Sequence, residues 1–244
     1  MEEISLQKAA IGSLFDRIAP CYDRLNHLLT LNIDRRWRRL AARTLGKGTP
    51  KVLDVACGTA DLSIALVQQG RARRVIGADL STRMLDIGKA KVAKSRLEGQ
   101  IALQEGNALE LPFGDADFDA VTCAFGVRNF MLPEKGLGEM YRVLRMGGRL
   151  TILEFSYPKS RLVRLFYDGY FNNLLPRIGR RLSKDSAAYS YLPASVKQFP
   201  YGQPFVQMLN MAGFVNVRQK SLSCGICMLY TAEKKVHDST LQRP

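Results

Sequence analysis

A short apolar segment, followed by small residues and then by helical spacing, constrains this chain more than any other feature. Residues 52–55 suit a strand buried on both faces, residues 56–60 are small, and residues 62–67 place apolar side chains at helical spacing. A second apolar run ends in Asp79, 21 positions after Gly58. In nucleotide-binding sheets an acidic side chain about 20 positions beyond the turn binds the ribose hydroxyls. The segment therefore predicts a strand, a tight turn and a helix that bind a nucleoside.

The turn itself argues against a dinucleotide. A loop that binds a pyrophosphate needs several glycines for close approach of its backbone, and Gly58 is the one glycine between Asp54 and Leu62. Asp54 instead places a carboxylate where it can face a cation, and S-adenosylmethionine carries one. The turn resembles the first motif of class I methyltransferases, although Ala56 and Ala60 stand where many members carry Gly.

The order of predicted elements supports the same fold. Helices and strands alternate up to Pro158, which is typical of a mostly parallel sheet with helices on both faces. Two adjacent strand-like runs near 214–222 and 226–233 leave no room for a crossover helix, so they predict a final antiparallel hairpin. We therefore expect a Rossmann-like α/β fold, with a seven-stranded sheet, of the class I S-adenosylmethionine-dependent methyltransferase type.

One domain over residues 1–244 is expected from the length. Its predicted parts are an N-terminal helical cap, broken at Ala19-Pro20, a cofactor-binding core, a basic aromatic lid, and a final helix with the hairpin. The corresponding ranges are 1–45, 46–158, 159–200 and 201–234.

In an open sheet of this kind the ligand lies beyond the carboxyl ends of the strands, so residues just after the strands are the candidate site. Asn107 could pair with an adenine edge or simply form a turn, while Leu80 and Met84 could contact the adenine faces. The predicted cofactor-binding residues are Asp54, Ala56, Gly58, Thr59, Asp79, Leu80, Met84, Asn107, Ala108 and Ala124.

Composition adds a strong positive charge. The formal net charge of +14 indicates an anionic partner, which could be nucleic acid, an acidic small molecule or an anionic membrane surface. Basic residues cluster at 35–43 and 159–184, and both clusters alternate with large apolar residues.

Scattered cysteines, the absence of an 18-residue apolar run and a start without signal-peptide character predict a cytoplasmic protein. Cys224 and Cys227 have metal-site spacing but no second pair, so no metal is expected.

Segments outside the general methyltransferase pattern resemble the ubiquinone/menaquinone biosynthesis C-methyltransferase family over nearly the whole chain. They are residues 15–16, 22–26, 37, 125–129, 142–156, 191–195 and 199–200. Three positions depart from the family pattern. Asp34 stands at a usual His, Met146 at a usual Pro, and Ala124 at a Ser that contacts the cofactor in some relatives.

The resemblance implies methylation of a ring carbon of a polyprenylated quinol, with S-adenosylmethionine as donor. Arg128 is then the predicted stabiliser of the quinol oxyanion, and Asn129, Tyr22 and Asp23 are expected to position the ring or relay a proton. Predicted substrate contacts are Phe125, Tyr170, Phe171 and Tyr191. The prenyl tail would stay in the bilayer, so we expect transient contact of the lid with the inner face of the cytoplasmic membrane.

The expected substrate is demethylmenaquinol, because Ala124 replaces the ubiquinone-type Ser. A methoxy-benzoquinol precursor of ubiquinone is the first alternative. A nucleic-acid methyltransferase would fit the charge, but residues 125–129 lack the Asn/Asp-Pro-Pro-aromatic string of amino-group methylation, and Pro20-Cys21 precedes the first strand. A quinone-binding or lipid-binding module without activity would leave Asp54, Thr59 and Asp79 without a purpose. The sequence leaves monomer and homodimer open.

Overall fold

The computed structural model describes residues 13, 15–20, 22–24, 26–27, 30–158, 160–169 and 195–236. The strands are β1 (Thr49–Val55), β2 (Ala72–Asp79), β3 (Ile101–Glu105), β4 (Phe118–Ala124), β5 (Leu144–Phe155), β6 (Phe214–Leu222) and β7 (Cys227–Lys234). The α-helices with defined bounds are α1 (Ile33–Ala42), α2 (Asp61–Gln68), α3 (Thr82–Lys94), α4 (Pro133–Val143), α5 (Arg161–Gly169) and α6 (Gln203–Met211).

The strands form one seven-stranded sheet in the order β3-β2-β1-β4-β5-β7-β6. The pairs among β1 to β5 are parallel, whereas β7 runs antiparallel to both β5 and β6. The predicted sheet with its closing hairpin is confirmed. Strand order reverses between β1 and β4, and ligands of open α/β sheets bind at the carboxyl ends of the strands at such a point.

The central strand shows why the sheet is buried on both faces. Val52 and Leu53 are both fully buried, but they belong to two different core clusters because successive side chains of a strand point to opposite faces. One cluster lies under α1, α2 and Val92 of α3, and the other lies under α4 and α6. Burial of one such Val or Leu side chain stabilises the fold by about 1.5–3 kcal/mol.

Helix α4 is shorter than its sequence predicts. The apolar spacing predicts a helix over residues 134–145, but α4 ends at Val143, because Leu144 already pairs with Phe118 and a bulge follows before the regular register of β4 with β5. Gly147, with a φ of 69°, lies in that irregular stretch. Ala19 and Pro20, where a break in the N-terminal cap was expected, are both helical.

Most of the segment predicted as a lid lies outside the described residues. Its described parts are residues 160–169, which include α5, and residues 195–200, of which 195–198 are helical. No described helix combines the length and the apolar character needed to cross a bilayer.

Candidate active site

A cleft opens at the carboxyl ends of the strands where the strand order reverses. It contains about 800 Å³ of empty space, part of which is continuous with solvent. Its lining residues come from the N-terminal helical segment, the ends of β1, β2 and β4, the turn after β2 with the start of α3, and the loops after β3 and β4. They are Phe15, Tyr22, Ala56, Gly58, Asp79, Leu80, Ser81, Met84, Gly106, Asn107, Ala108, Leu109, Ala124, Phe125, Gly126, Asn129, Phe130 and Met131.

Asp79 joins two turns at the edge of this cleft. Its carboxylate accepts hydrogen bonds from the backbone N–H groups of Gly58, at 2.8 Å, and Ser81, at 2.9 Å. Burial raises the pKa of Asp79, against the lowering effect of these backbone donors. Ser81 in turn caps α3 by accepting from the N–H of Met84 at 3.1 Å. The carboxylate predicted to bind the ribose therefore also ties the turn after β1 to the turn after β2.

The turn after β1 has a backbone that favours glycine. Gly58 has a φ of 53°, and Ala56 and Ala60 have φ values of 53° and 66°. A left-handed conformation costs a residue with a Cβ about 1–2 kcal/mol. This explains physically why many class I methyltransferases carry Gly where Ala56 and Ala60 stand here.

Asn107 forms a turn as well as lining the cleft. Its Oδ1 accepts the N–H of Leu109 at 3.0 Å, which is the turn-forming role considered from the sequence. Ala108, Leu80 and Met84 line the cleft beside it. This end of the cleft therefore has a largely apolar wall with one amide group, which suits a purine ring.

A second, smaller cavity adjoins the cleft and shares Tyr22, Ala56, Gly58 and Ala124 with it. Its other lining residues are Arg38, Asp54, Cys57, Thr59, Asp61 and Leu62. This cavity is rich in charge, in contrast to the apolar cleft.

Asp54, which was predicted to face a cation, lies in this second cavity. It is 1% exposed and accepts hydrogen bonds from the hydroxyls of Ser63, at 2.6 Å, and Thr122, at 2.9 Å. Burial raises its pKa to about 6, although both hydroxyls and the charge of Arg38 act in the opposite direction. A buried carboxylate that has two hydroxyl donors, and no cation bonded to it among the described residues, is suited to bind a cationic ligand group.

Arg38 carries the positive charge of the second cavity. Its guanidinium is bonded to Asp34, lies 4.0 Å from Asp61, and stacks 5.1 Å from the ring centroid of Phe125. Burial lowers the pKa of Arg38, but Asp61 and Asp34 more than offset this, so its pKa is raised. His27 completes the group through a 3.0 Å contact of its Nδ1 with Asp34. In the sequence Arg38 is one member of the basic cluster at residues 35–43. Its position one residue after Trp37 and four after Asp34 places all three on one helix face.

Asp23, Thr59 and Lys91 form a separate network that fastens the N-terminal helical segment to the core. Thr59 donates its hydroxyl to Asp23 at 2.6 Å, and the Lys91 ammonium lies 2.8 Å from Asp23. Lys91 also bonds to Asp61. Asp23 lines neither the cleft nor the second cavity, so its contacts suggest positioning of the cap rather than contact with a substrate.

Arg128 is held away from the lining of both spaces by Glu154. Its Nη1 donates to Glu154 at 2.7 Å and to the carbonyl of Phe125 at 2.5 Å, and the backbone N–H of Arg128 donates to Glu154 at 3.1 Å. Asn129 does line the cleft, and its Nδ2 lies 3.3 Å from the same carbonyl. Arg128 lines neither space in this structure, and its contact with the quinol oxygen stays a prediction. Glu154 was not singled out from the sequence as the partner of Arg128, although a Glu within an apolar strand was a visible signal.

Tyr22 lies where the cleft and the second cavity meet. Burial raises the pKa of its hydroxyl, and the nearby charges of Arg128 and Arg38 partly oppose that rise. Both arginines therefore act electrostatically at the join of the two spaces without lining the cleft.

Phe125 belongs to an aromatic group behind the join. Its ring stacks on Phe155 at 4.4 Å between centroids and lies 6.3 Å from Trp37. Tyr170, Phe171 and Tyr191, the other predicted substrate contacts, lie outside the described residues. Four further apolar residues line the cleft without having been predicted to do so. They are Phe15, Leu109, Phe130 and Met131.

The sheet order, the glycine-type turn and the carboxylate after β2 define a class I S-adenosylmethionine-dependent methyltransferase. A solved S-adenosylmethionine-dependent methyltransferase of Thermotoga maritima has the same fold, with a TM-score of 0.65 and 19% identity over 92% of this chain and 100% of that one. Residues 3–234 match the ubiE/COQ5 methyltransferase family, and this chain belongs to that family.

Two relatives cover almost the full length. The demethylmenaquinone methyltransferase of Bacteroides fragilis is 43% identical over 225 residues, which are 92% of each chain. The ubiquinone/menaquinone biosynthesis C-methyltransferase UbiE of Geobacter sp. strain M21 is 43% identical over 236 residues, which are 96% of this chain and all of the relative.

Proposed function

We propose that this enzyme transfers a methyl group from S-adenosylmethionine to a ring carbon of a polyprenylated quinol, with demethylmenaquinol as the preferred substrate. The observation that carries the proposal is the join at Tyr22 and Ala124 between an apolar cleft and a charged cavity. Such a pair of spaces fits a cofactor with an aromatic base at one end and a zwitterionic amino acid at the other. The names of the relatives support the quinol as acceptor.

The residues of both spaces fit the cofactor. Asp79 would bind the ribose, and Asn107, Leu80 and Met84 would surround the adenine. In the second cavity, Asp54 would accept the α-ammonium group and Arg38 would bind the α-carboxylate. Bound in this way, S-adenosylmethionine supplies a methyl group made electrophilic by a sulfonium.

The acceptor ring would enter through the apolar end of the cleft. Phe15, Phe130 and Met131 present large apolar surfaces there, which suit a fused aromatic ring better than a methoxy-substituted one. Ala124 in place of the ubiquinone-type Ser is consistent with this preference. A methoxy-benzoquinol remains the alternative acceptor.

A quinol carbon becomes nucleophilic when the neighbouring hydroxyl loses its proton, so the protein must favour an oxyanion at the join. The Tyr22 hydroxyl and the Asn129 amide line the cleft and would donate to that oxygen. Arg128, from behind the lining, and Arg38, from the second cavity, would add a positive potential, as their effect on the pKa of Tyr22 indicates. Overall, the ring exchanges one C–H bond for a C–CH3 bond, one proton is released, and S-adenosylhomocysteine is the second product.

A metal ion has no role in this proposal. Among the described residues, His27, Asp34 and Asp61 bring potential ligand atoms within 4.8 Å of one another. Arg38 already bonds to Asp34 and lies 4.0 Å from Asp61, so its guanidinium supplies the positive charge that a metal ion would bring. Full activity after dialysis against a chelator is the expected result.

The direct test is methyl transfer from labelled S-adenosylmethionine to three acceptors in detergent, namely reduced demethylmenaquinone, the ubiquinone-precursor quinol and bulk RNA. Label in the naphthoquinol alone is expected. Label in both quinols would make this a dual-pathway enzyme, and label only in RNA would overturn the proposal. Asp79→Asn serves as the inactive control for cofactor binding, and Asp86→Asn, on the 73% exposed side chain of Asp86, serves as its matched control.

A further inference from the structure

Helix α5 presents two different faces. On one face Tyr167 is buried against Tyr157 at 5.5 Å between ring centroids, and Arg164 stacks 4.9 Å from the Tyr157 ring. On the other face Leu162 and Leu165 are 66% and 71% exposed. Two large apolar side chains three positions apart in a helix lie side by side, so they form a continuous apolar strip.

A second exposed apolar pair lies at the start of α1. Leu31 is 70% exposed and Ile33 is 39% exposed. Their backbone is fixed, because the N–H of Asn32 donates to the carbonyl of His27 at 2.7 Å and the N–H of Ile33 donates to Thr30 at 3.0 Å. The turn therefore presents this pair outward in a defined conformation.

Both pairs lie at the edge of the sheet where the cleft opens. The N-terminal part of α1 lies at that edge, since Trp37 donates to Ser223 at 2.9 Å and packs on Phe155 at the end of β5. The opposite end of α1 leads to Thr44, whose hydroxyl lies 2.7 Å from that of Thr151, further back along β5. Helix α5 follows β5 directly and packs on Tyr157.

Among the described residues of the two segments that carry these pairs, the exposed charges are all positive. Arg35, Arg36 and Arg161 are exposed. The acids of the same two segments are engaged within the protein, since Asp34 pairs with Arg38 and Asp168 accepts the hydroxyl of Tyr157 at 2.5 Å. Exposed apolar side chains can insert into a bilayer, and arginines beside them can bind its anionic headgroups.

We propose that Leu31, Ile33, Leu162 and Leu165, with the arginines beside them, form a membrane-contact face that docks the cleft on a bilayer containing anionic lipid. This inference rests on the proposed function, because only an acceptor with a membrane-bound prenyl tail requires the cleft to face lipid. The face lies on described residues and does not depend on those of the lid that are outside the described ranges.

The test compares the full-length protein with two pairs of substitutions in the face, Leu162→Gln with Leu165→Gln and Leu31→Gln with Ile33→Gln. The matched control is Met146→Gln with Met211→Gln. These methionines are 56% and 86% exposed, and they lie at the other edge of the sheet, near the start of the regular part of β5 and the start of β6. Binding is measured by co-sedimentation with vesicles of phosphatidylcholine, with and without phosphatidylglycerol.

We expect wild type and control to sediment with anionic vesicles, and each face variant to lose about tenfold or more in partition. Thermal unfolding verifies that every variant is folded. Equal sedimentation of face variants and wild type, or no binding by wild type, overturns the proposal. A change from dimer to monomer in the face variants without lipid would overturn it too, by identifying an interface between copies.

A short-chain, water-soluble quinol separates this inference from the proposed function. All variants should methylate it at the wild-type rate, because none of the substituted residues lines the cleft. If wild type fails to methylate any quinol but still binds vesicles, the proposed function fails while the membrane-contact face stands. If wild type methylates the short-chain quinol and the face variants keep full activity on long-chain quinol in vesicles, the membrane-contact face is wrong.

Discussion

The guanidinium of Arg128 lies 2.7 Å from the carboxylate of Glu154, and the two side chains are 6% and 0% exposed. The same carboxylate accepts the backbone N–H of Arg128 and that of Phe155. Glu154 thus orients the loop after β4, on which Phe125 and Asn129 are placed. The arginine expected from the sequence to touch the substrate is, in this structure, one partner of a buried ion pair behind the site.

Glu154→Gln should destabilise the protein by about 3–5 kcal/mol, because it leaves the Arg128 charge buried without its partner. The measurement is urea-induced unfolding of the protein without cofactor. Glu233→Gln is the matched control, since Glu233 pairs with Arg149 at 3.4 Å on the surface and should cost at most about 1 kcal/mol. Similar losses for both variants would show that the Arg128–Glu154 pair contributes no more than a surface pair.

Ionisation of the buried Asp54 carboxyl should lower the free energy of unfolding as the pH rises through about 6. Its folded-state pKa is raised to about 6, whereas an Asp in the unfolded chain has a pKa of about 3.9. The neutral carboxyl therefore contributes stability that is fully present below about pH 4 and is lost as the pH rises through 6. Asp54→Asn should stabilise the cofactor-free protein at pH 7.5, by as much as about 3 kcal/mol, and have little effect at pH 4.

Chemical unfolding of wild type and Asp54→Asn at several pH values measures this difference. The same variant should bind S-adenosylmethionine more weakly, because the proposed partner of the α-ammonium group is lost. A constant difference in stability between pH 4 and 7.5 would contradict the assigned burial effect on Asp54.

Arg38→Lys should weaken binding of S-adenosylhomocysteine about tenfold while leaving binding of methylthioadenosine unchanged. Methylthioadenosine lacks the amino-acid end, so its affinity reports the nucleoside site alone. Lysine keeps the charge beside Asp34 and Asp61 but loses the two-donor geometry that binds a carboxylate. Isothermal calorimetry gives both Kd values, and Arg39→Lys on the exposed side of α1 is the control. Equal weakening of both ligands would place Arg38 outside the carboxylate site.

Lys91→Met should loosen the N-terminal helical segment, because it removes the cation shared by Asp23 and Asp61. These side chains are about one quarter exposed, so the expected loss of stability is about 1–2 kcal/mol, between a surface and a buried pair. Limited proteolysis with trypsin should cut faster at Arg17 or Arg24. Lys89→Met is the control, since Lys89 lies on the same helix with a 3.6 Å pair to Asp86 on the surface. Identical cleavage rates for the two variants would exclude this fastening role.

Much of the fold was predictable from local patterns. The apolar run at residues 52–55, the small turn and Asp79 lie within 28 positions, so their spacing carries the information about β1, the turn and β2. The closing hairpin was predictable because two strands separated by four residues, Ser223 to Ile226, leave no room for a crossover. The end of α4 at Val143 was not predictable, because the bulge that ends this helix forms only when β5 pairs with β4.

The sequence by itself determined the order of elements, the tight turn after β1 and the family, because these depend on neighbouring residues and on their spacing. Only the tertiary structure decided which charges meet. Lys91 reaches Asp23 across 68 positions and Arg128 meets Glu154 across 26. Such pairs form where the sheet brings distant segments together in a low-dielectric interior, and the local pattern carries no record of them. For the same reason Arg38, one of several adjacent arginines in the sequence, is the one buried beside Asp54.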